Sequence, residues 1–476
     1  MSGSSPPPHA SSGPNSGRLT RAALIEALRQ GEIETVLTVF PDLYGRLVGK
    51  RITAPFFLDE VVDGGMHVCD YLLACDMEME PVPGYRFTSW DTGYGDMHCV
   101  PDWSTARRAS WLERSAIVIC DVFSERTGEP IAIAPRSVLK RQIERATQAG
   151  YIAKGASELE LFVFRETYES ARAKHYEALD TFGEYIEDYH ILQGTRVEPL
   201  IGEIRRQLEA SGVPVEFSKG EWGHGQHEIN LRYCELLEMA DRHVLYKHAA
   251  KEIALLQKLS VTFMAKWNAA QAGNSCHIHA SLWDRDDPER ALFPGDGAPI
   301  EGTRAQPSEL FLHWLGGLIE HAPELMIFFA PLINSYKRYA AGTFAPTAIG
   351  WAYDNRTAGF RVLGHGNGLR AECRIPGADA NPYLAFAAIL AAGLDGIARR
   401  VSPPPMFRGN LYAAKELPQV PRTLRDAIEA AEGSQFLRTA LGDDVVEHYL
   451  HFARCELDSF SRSVTTWERA RYFERA

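Results

Sequence analysis

The chain has 476 residues and a net charge of −12, with 50 Lys and Arg against 62 Asp and Glu. With 45% hydrophobic and 24% charged residues it reads as a globular protein, long enough for several domains or for one large domain and a smaller one. The acidic balance leaves no chain-wide basic field for nucleic acid or an anionic membrane, so any phosphate chemistry must come from local arginines.

Residues 1–17 lack the apolar core of a signal peptide, are rich in Ser, Pro and Gly, and are expected to form a disordered tail. Thr20 then offers a cap for a helix whose apolar face is Ala22, Leu24, Ile25 and Leu28, ended by Gly31. Thr35 to Phe40 and Leu47 to Ile52 have strand character and flank the turn Pro41-Asp42-Leu43-Tyr44-Gly45, a hairpin signature. A further strand, Ala116 to Val122, follows a loop dense in Trp, Gly, Asp and Pro, which sets a small mixed domain over 18–130.

From Pro135 long helices alternate with short strands, and the domain expected over 131–476 has an α/β core whose dispersed strands need not all be parallel. Helices are expected from Pro135 to Ala149, after Pro199, from Ala240 to Leu259 and from Glu309 to His321. The longest apolar run, Tyr383 to Leu394, is 12 residues, too short to span a bilayer and suited to a buried helix. Residues 424–476 read as helical, packing on the core or on a neighbouring subunit. Eight cysteines without a CxxC pair argue against zinc-finger and disulfide frameworks and favour a reducing compartment, the cytoplasm.

Five glutamates and a histidine stand in strand-like, apolar stretches: Glu158, Glu160, Glu221, Glu228, His277 and Glu372. Strand alternation puts Glu158 and Glu160 on one face, with Phe162 and Phe164 sharing it, so full exposure is unfavourable. Carboxylates that close raise each other's pKa unless a cation converts repulsion into coordination. His277, His279 and Ser281 share a face, a better metal or phosphate signal than a lone histidine. Carboxylates with an imidazole suit Mn²⁺ and are compatible with Mg²⁺. In Arg370-Ala371-Glu372-Cys373-Arg374 the charged residues share a face, either as a surface ion-pair ladder or as a metal ligand between anion-binding guanidinium groups. Arg338, Arg356 and Arg361 extend that set. No Walker A loop and no G-x-G-x-x-G opening a helix is present.

In order along the chain, Thr262-Phe263-Met264-Ala265-Lys266, His277-Ile278-His279, Asn334-Ser335-Tyr336-Lys337-Arg338, Asn355-Arg356-Thr357, Asn381-Pro382-Tyr383-Leu384 and the ending Val464-Thr465-Thr466-Trp467-Glu468 resemble the glutamine synthetase family. The resemblance implies an α+β fold, with a small N-terminal β-grasp domain and a large catalytic domain built on a distorted barrel of strands. It also implies a homo-oligomer, commonly a dodecamer of two hexameric rings with active sites between neighbours. By the same resemblance Glu160, Glu221 and Glu228 would hold one Mg²⁺ or Mn²⁺, and Glu158, His277 and Glu372 the other. Tyr233, His279 and Ser281 would contact ATP, Arg356, Arg361 and Arg370 would carry the charge at its phosphates, and Gly273, Arg338 and Arg374, beside Glu160, would seat glutamate. Arg356, Arg338 and Glu221 would be catalytic.

The chain also departs from that family. Where glutamine synthetases carry a flap glutamate that helps bind ammonium, Gly342-Thr343-Phe344-Ala345-Pro346 places Phe344. The family's ammonium-pocket aspartate, supplied by a neighbouring subunit, corresponds to Asp70 or, less well, to Asp63. Asn367 replaces a lysine near the nucleotide phosphates, and Tyr412 stands where some members are adenylylated, with different flanking residues. Phe344, Asp70, Tyr189 and Glu221 are thus expected around a carbon-bearing amine. The expected activity is ATP-dependent ligation of glutamate to an amine such as ethanolamine or a polyamine; an ordinary glutamine synthetase and a catalytically inactive ring protein are the alternatives.

Overall fold

The computed structural model describes residues 17–476, so the expected tail lies outside the described residues except for Gly17. The first helix, Arg21–Arg29, starts as expected, with Thr20 Oγ1 accepting from the Ala23 N–H. Six strands then form a mixed sheet: β1 (Thr35–Pro41), β2 (Leu47–Thr53), β3 (Met66–Cys69), β4 (Asp96–Pro101), β5 (Arg107–Arg108) and β6 (Ser115–Ser124). The order is β2-β1-β6-β4-β3; β1 and β2 are the expected antiparallel hairpin, and β1 runs parallel to β6.

The second sheet has nine strands: β7 (Tyr151–Phe164), β8 (Val215–Gly220), β9 (Gln226–Leu231), β10 (Cys234–Glu235), β11 (Ser260–Thr262), β12 (Cys276–Asp284), β13 (Trp351–Tyr353), β14 (Phe360–Leu363) and β15 (Arg370–Cys373). Its order is β13-β14-β15-β12-β7-β9-β8, with β10 and β11 also on β7. All pairs are antiparallel except β13 with β14, so the helix–strand alternation that pointed to an α/β core belongs to an α+β architecture. Arg361 near one end of this sheet and Phe217 and Lys219 at the other line one cavity. The sheet therefore curls into a near-barrel.

Helices back the large sheet. Pro382–Arg399 is the one helix among the described residues long and apolar enough to cross a membrane, and it is buried inside the protein. It packs on Glu309–His321 so closely that a Cβ on Gly317 would stand 2.7 Å from Gly396 Cα. Two helices begin earlier than expected. The long one spans Leu236–Leu256, and the helix expected after Pro199 spans Ile191–Ala210 with Pro199 inside it. Residues 424–476 form four helices, Leu424–Glu432, Gln435–Leu441, Asp443–Arg462 and Thr466–Tyr472, of which the first three bury Leu424, Leu437, Val446 and Leu450 in the core.

The Asn381-Pro382-Tyr383 motif joins the two sheets. Asn381 caps its helix by accepting from the Tyr383 N–H (3.1 Å), and its amide donates to the carbonyls of Asp42 (3.2 Å) and Leu43 (3.0 Å) in the β1–β2 turn. Tyr383 donates to Asp241 (2.6 Å), which pairs with buried Arg136, itself bonded to Asp102 beside the small sheet. Asn334 does similar work for the large sheet: its side chain accepts from the Lys266 N–H and donates to the Lys266 carbonyl, both at 2.8 Å.

Candidate functional site

Strand register assembles the site. Glu160 on β7 lies opposite Glu228 on β9, which lies opposite Lys219 on β8. Glu158 lies opposite Asn230 on one side and His277 on the other; beyond it His279 faces Glu372, and Glu372 faces Arg361. Because side chains alternate, this row projects from one face while Leu159, Leu161, Ile278 and Ala371 enter the core on the other. Phe162 and Phe164, on the same face as the glutamates, are buried edge-on against Trp267, which closes that end of the row.

Two groups of potential ligand atoms result. In Glu160, Glu221 and Glu228 the atoms lie within 4.8 Å of one another, as they do in Glu158, His279 and Glu372. His277 also reaches the second group, with Nδ1 3.2 Å from Glu158 and 3.4 Å from Glu372. The triad expected with His277 is thus flanked by His279 as well, whose Nε2 lies 2.8 Å from Glu158. Burial, then the neighbouring carboxylates, push the Glu228 and Glu160 pKa values up, Ser275 only partly offsetting this at Glu160. Burial and Arg374 pull the His277 pKa down, so its ring stays neutral and keeps a lone pair to give. At Glu158 burial acts upward, but the two histidines outweigh it and hold the carboxylate ionised. Oxygen donors crowded without enough positive charge, beside neutral imidazole, fit a pair of hard divalent cations.

Each carboxylate is held in place. Glu160 accepts from the Ser275 N–H (2.7 Å), the Ser275 hydroxyl (2.6 Å) and the Gln226 amide (3.1 Å). Glu228 accepts from Asn230 (2.9 Å), and Glu372 is fully buried between Arg361 (3.0 Å) and Arg374. Arg338 is buried and donates to the carbonyls of Ile375 and Pro376, yet its Nε and that of Arg374 have no partner among the described residues. Beside Arg338 stands Gly273, where a Cβ would come within 2.5 Å of Arg338 Cγ, so no side chain fits.

The predicted site residues divide between two adjoining cavities. The first, about 330 Å³, is lined by Glu158, Glu160, Glu221, Glu228, His277, Gly273, Arg338, Arg356, Arg361 and Arg374 on one side and by Tyr189 and Phe344 on the other. The second, about 590 Å³, takes in Tyr233, His279, Ser281, Asn367 and Arg370, and shares Glu158 and Asn230 with the first. Here Arg370 donates to His279 Nδ1 (3.1 Å), and Tyr233 is half exposed. Arg356 sits in the turn between β13 and β14. Glu372 lies behind Arg361, His277 and His279 and lines neither cavity. Asp70 is not brought to either cavity of its own chain: it belongs to the small-sheet region, where it accepts from the Thr88 hydroxyl (2.6 Å).

Several lining residues escaped the sequence reading: Phe217, Lys219, Trp222, Asp188 and Asn230. Trp222 faces Phe344 edge-on, ring centroids 6.0 Å apart. The period-two pattern Phe217-x-Lys219-x-Glu221 carried the signal for three of the wall residues.

The chain belongs to the glutamine synthetase family. The profile described as "Glutamine synthetase, catalytic domain" matches residues 132–472. Among similar curated proteins, the gamma-glutamylethanolamide synthetase GlnA4 of Streptomyces coelicolor is 48% identical over 445 residues, covering 94% of each chain. The glutamate–isopropylamine ligase of a Pseudomonas species is 33% identical, covering 94% of this chain and 96% of that protein. The solved GmaS/ADP complex superposes with a TM-score of 0.82 at 30% identity, over 95% of this chain and 99% of the other. The expected glutamine synthetase fold, with its near-barrel sheet, is therefore the observed one.

Proposed function

We propose that the chain joins the γ-carboxylate of glutamate to a small carbon-bearing amine at the expense of ATP, through a γ-glutamyl phosphate, releasing ADP and phosphate. The observation that carries this reading is the wall formed by Phe344 and Trp222 opposite a carboxylate–arginine array. An apolar surface rewards carbon and offers ammonium no counter-charge. Two relatives named for γ-glutamylethanolamide synthesis and isopropylamine ligation support it.

In this reading Glu160, Glu221 and Glu228 hold one divalent ion, Mg²⁺ or Mn²⁺, and Glu158, His277 and Glu372 a second. Such ions, when bound, supply charge neutralisation at the transferred phosphoryl group. Arg338 and Arg374, through buried Nε donors left unpaired by the protein, seat the glutamate carboxylate beside Gly273. Tyr233, His279, Ser281 and Arg370 take the nucleotide in the second cavity, and Arg356 and Arg361 its phosphates where the cavities meet. Phe344, Tyr189 and Glu221 border the amine and, with the neighbouring copy's Asp70, keep water from the acyl phosphate. Residues 18–130 and 131–476 act as two domains of a cytoplasmic homo-oligomer, two stacked hexameric rings.

The test is phosphate release with ATP, Mg²⁺ and glutamate against ammonia, ethanolamine, putrescine, spermidine and simple monoamines. A carbon-bearing amine is expected to give the highest kcat/KM. Ammonia as the best substrate would leave an ordinary glutamine synthetase, and the absence of glutamate-dependent ADP formation with any amine would leave a non-catalytic family member.

A further inference from the structure

We propose that Lys219 selects among amines, admitting monoamines with a neutral tail and rejecting diamines and polyamines; the inference rests on the ligase reading above and narrows its substrate class.

Phe217 and Lys219 on β8 and Glu221 just beyond it alternate toward the first cavity. The Lys219 ammonium bonds to Glu221, lies 3.6 Å from Asp188 and sits 4.4 Å over the Tyr189 ring, with its side chain 15% exposed. Five carboxylates line this cavity: Glu158, Glu160, Glu221, Glu228 and Asp188. The first four belong to the two cation-demanding groups. Asp188 is the one left, and Lys219 is poised to neutralise it.

A diamine brings its reacting nitrogen and a second ammonium on the tail. Inside the cavity that second charge would find no free carboxylate and would meet the fixed charge of Lys219, with Arg338, Arg356, Arg361 and Arg374 adding the same sign. The Lys219 side chain is largely buried, so its charge is incompletely screened and repels a like charge brought beside it. A tail ending in methyl groups or a hydroxyl packs on Phe217, Trp222 and Phe344 and leaves the Lys219–Asp188 pair intact. Selection here works by a repulsive element as well as an attractive one.

The experiment compares kcat/KM for ATP-dependent ligation of glutamate to aminobutanol and to putrescine, which match in length and differ in the terminal charge. Wild type is expected to favour aminobutanol by about tenfold or more, the scale of one uncompensated like-charge contact. Lys219→Gln should lose most of that preference through a lower KM for putrescine, while Lys219→Arg keeps it. Asp188→Asn, which removes the counter-charge, should widen the preference and supplies the test if Lys219→Gln does not fold. Equal use of both amines by wild type, or a ratio unmoved in Lys219→Gln or in Asp188→Asn, overturns the proposal while leaving the ligase reading intact. No ligation of any amine overturns both.

Discussion

The two sides of the first cavity are built in opposite ways. The charged side stands mostly on strand residues of β7, β9 and β12, where Glu228 is 4% exposed, backed by Glu372 on β15 (0%) and Arg374 just past its end (2%), each with protein partners. The aromatic side stands on loops: Tyr189, Trp222 and Phe344 are each half exposed or more, and Tyr189 and Phe344 adopt left-handed backbone, φ 57° and 58°. Side chains locked by register and ion pairs cannot be exchanged without disturbing the sheet, whereas loop residues can change with the fold intact. The division suits an enzyme that keeps its first chemical step and varies the partner in its second.

Removing a charge from the rigid side should have the largest effect. Glu372→Gln takes the anion away from Arg361, Arg374 and His277 while keeping side-chain volume. Activity with every amine should fall by at least about a hundredfold, the scale for one preorganised electrostatic group. Breaking a buried ion pair should also cost about 3–5 kcal/mol of stability, read as a lower Tm. A variant that kept its rate with one amine but not another would show that the charged side also discriminates between amines.

Metal addition gives the next effect and needs no turnover. Glu160 and Glu228 face each other across β7 and β9 with too little positive charge nearby, so Mn²⁺ or Mg²⁺ should stabilise the fold by about 2.7 kcal/mol when the ion stands at a hundred times its Kd, read as a higher Tm. In Glu228→Gln the Asn230 bond to the remaining carbonyl oxygen can persist, so the metal-free Tm should change little while most of the ion-dependent gain disappears. An undiminished gain would move the ion elsewhere.

The charged side was the more legible of the two in the amino-acid sequence. Period-two alternation put Glu158 with Glu160, His277 with His279 and Glu372 with Arg370 and Arg374, and strand pairing brought these groups together. Register between distant strands is not written locally, so the approach of both His277 and His279 to Glu158 emerged only in three dimensions. Lys219 carries no local signature, because one lysine in a half-exposed strand gains its meaning only when Asp188, thirty-one positions earlier, folds beside it. Proline favours the first turn of a helix, which points to a start at Pro199, yet the helix runs through it from Ile191. Asn381 and Asn334 belonged to recognisable motifs, yet their work is to pin backbone carbonyls and amides across the fold rather than to touch a substrate.

On the aromatic side the expected effect is smaller and falls on selectivity alone. Phe344→Glu places a carboxylate where the ring now faces Trp222, while the backbone carbonyl at 344 keeps its bond from the Arg374 guanidinium at 3.4 Å. The residue is half exposed, so the new charge stays hydrated and stability should change by no more than about 0.5 kcal/mol, leaving the Tm nearly unmoved. A small ammonium ion then gains a counter-charge, and a carbon-bearing amine loses an apolar contact of about 1 kcal/mol. The ratio of kcat/KM for ammonia to that for the best amine should therefore rise about fivefold to tenfold, with the KM for glutamate nearly constant. Left-handed backbone at position 344 costs Glu no more than Phe, which keeps strain out of the comparison. If the ratio stays fixed while the Tm is unchanged, the choice of amine resides with Lys219 and Asp188 rather than with the ring at position 344.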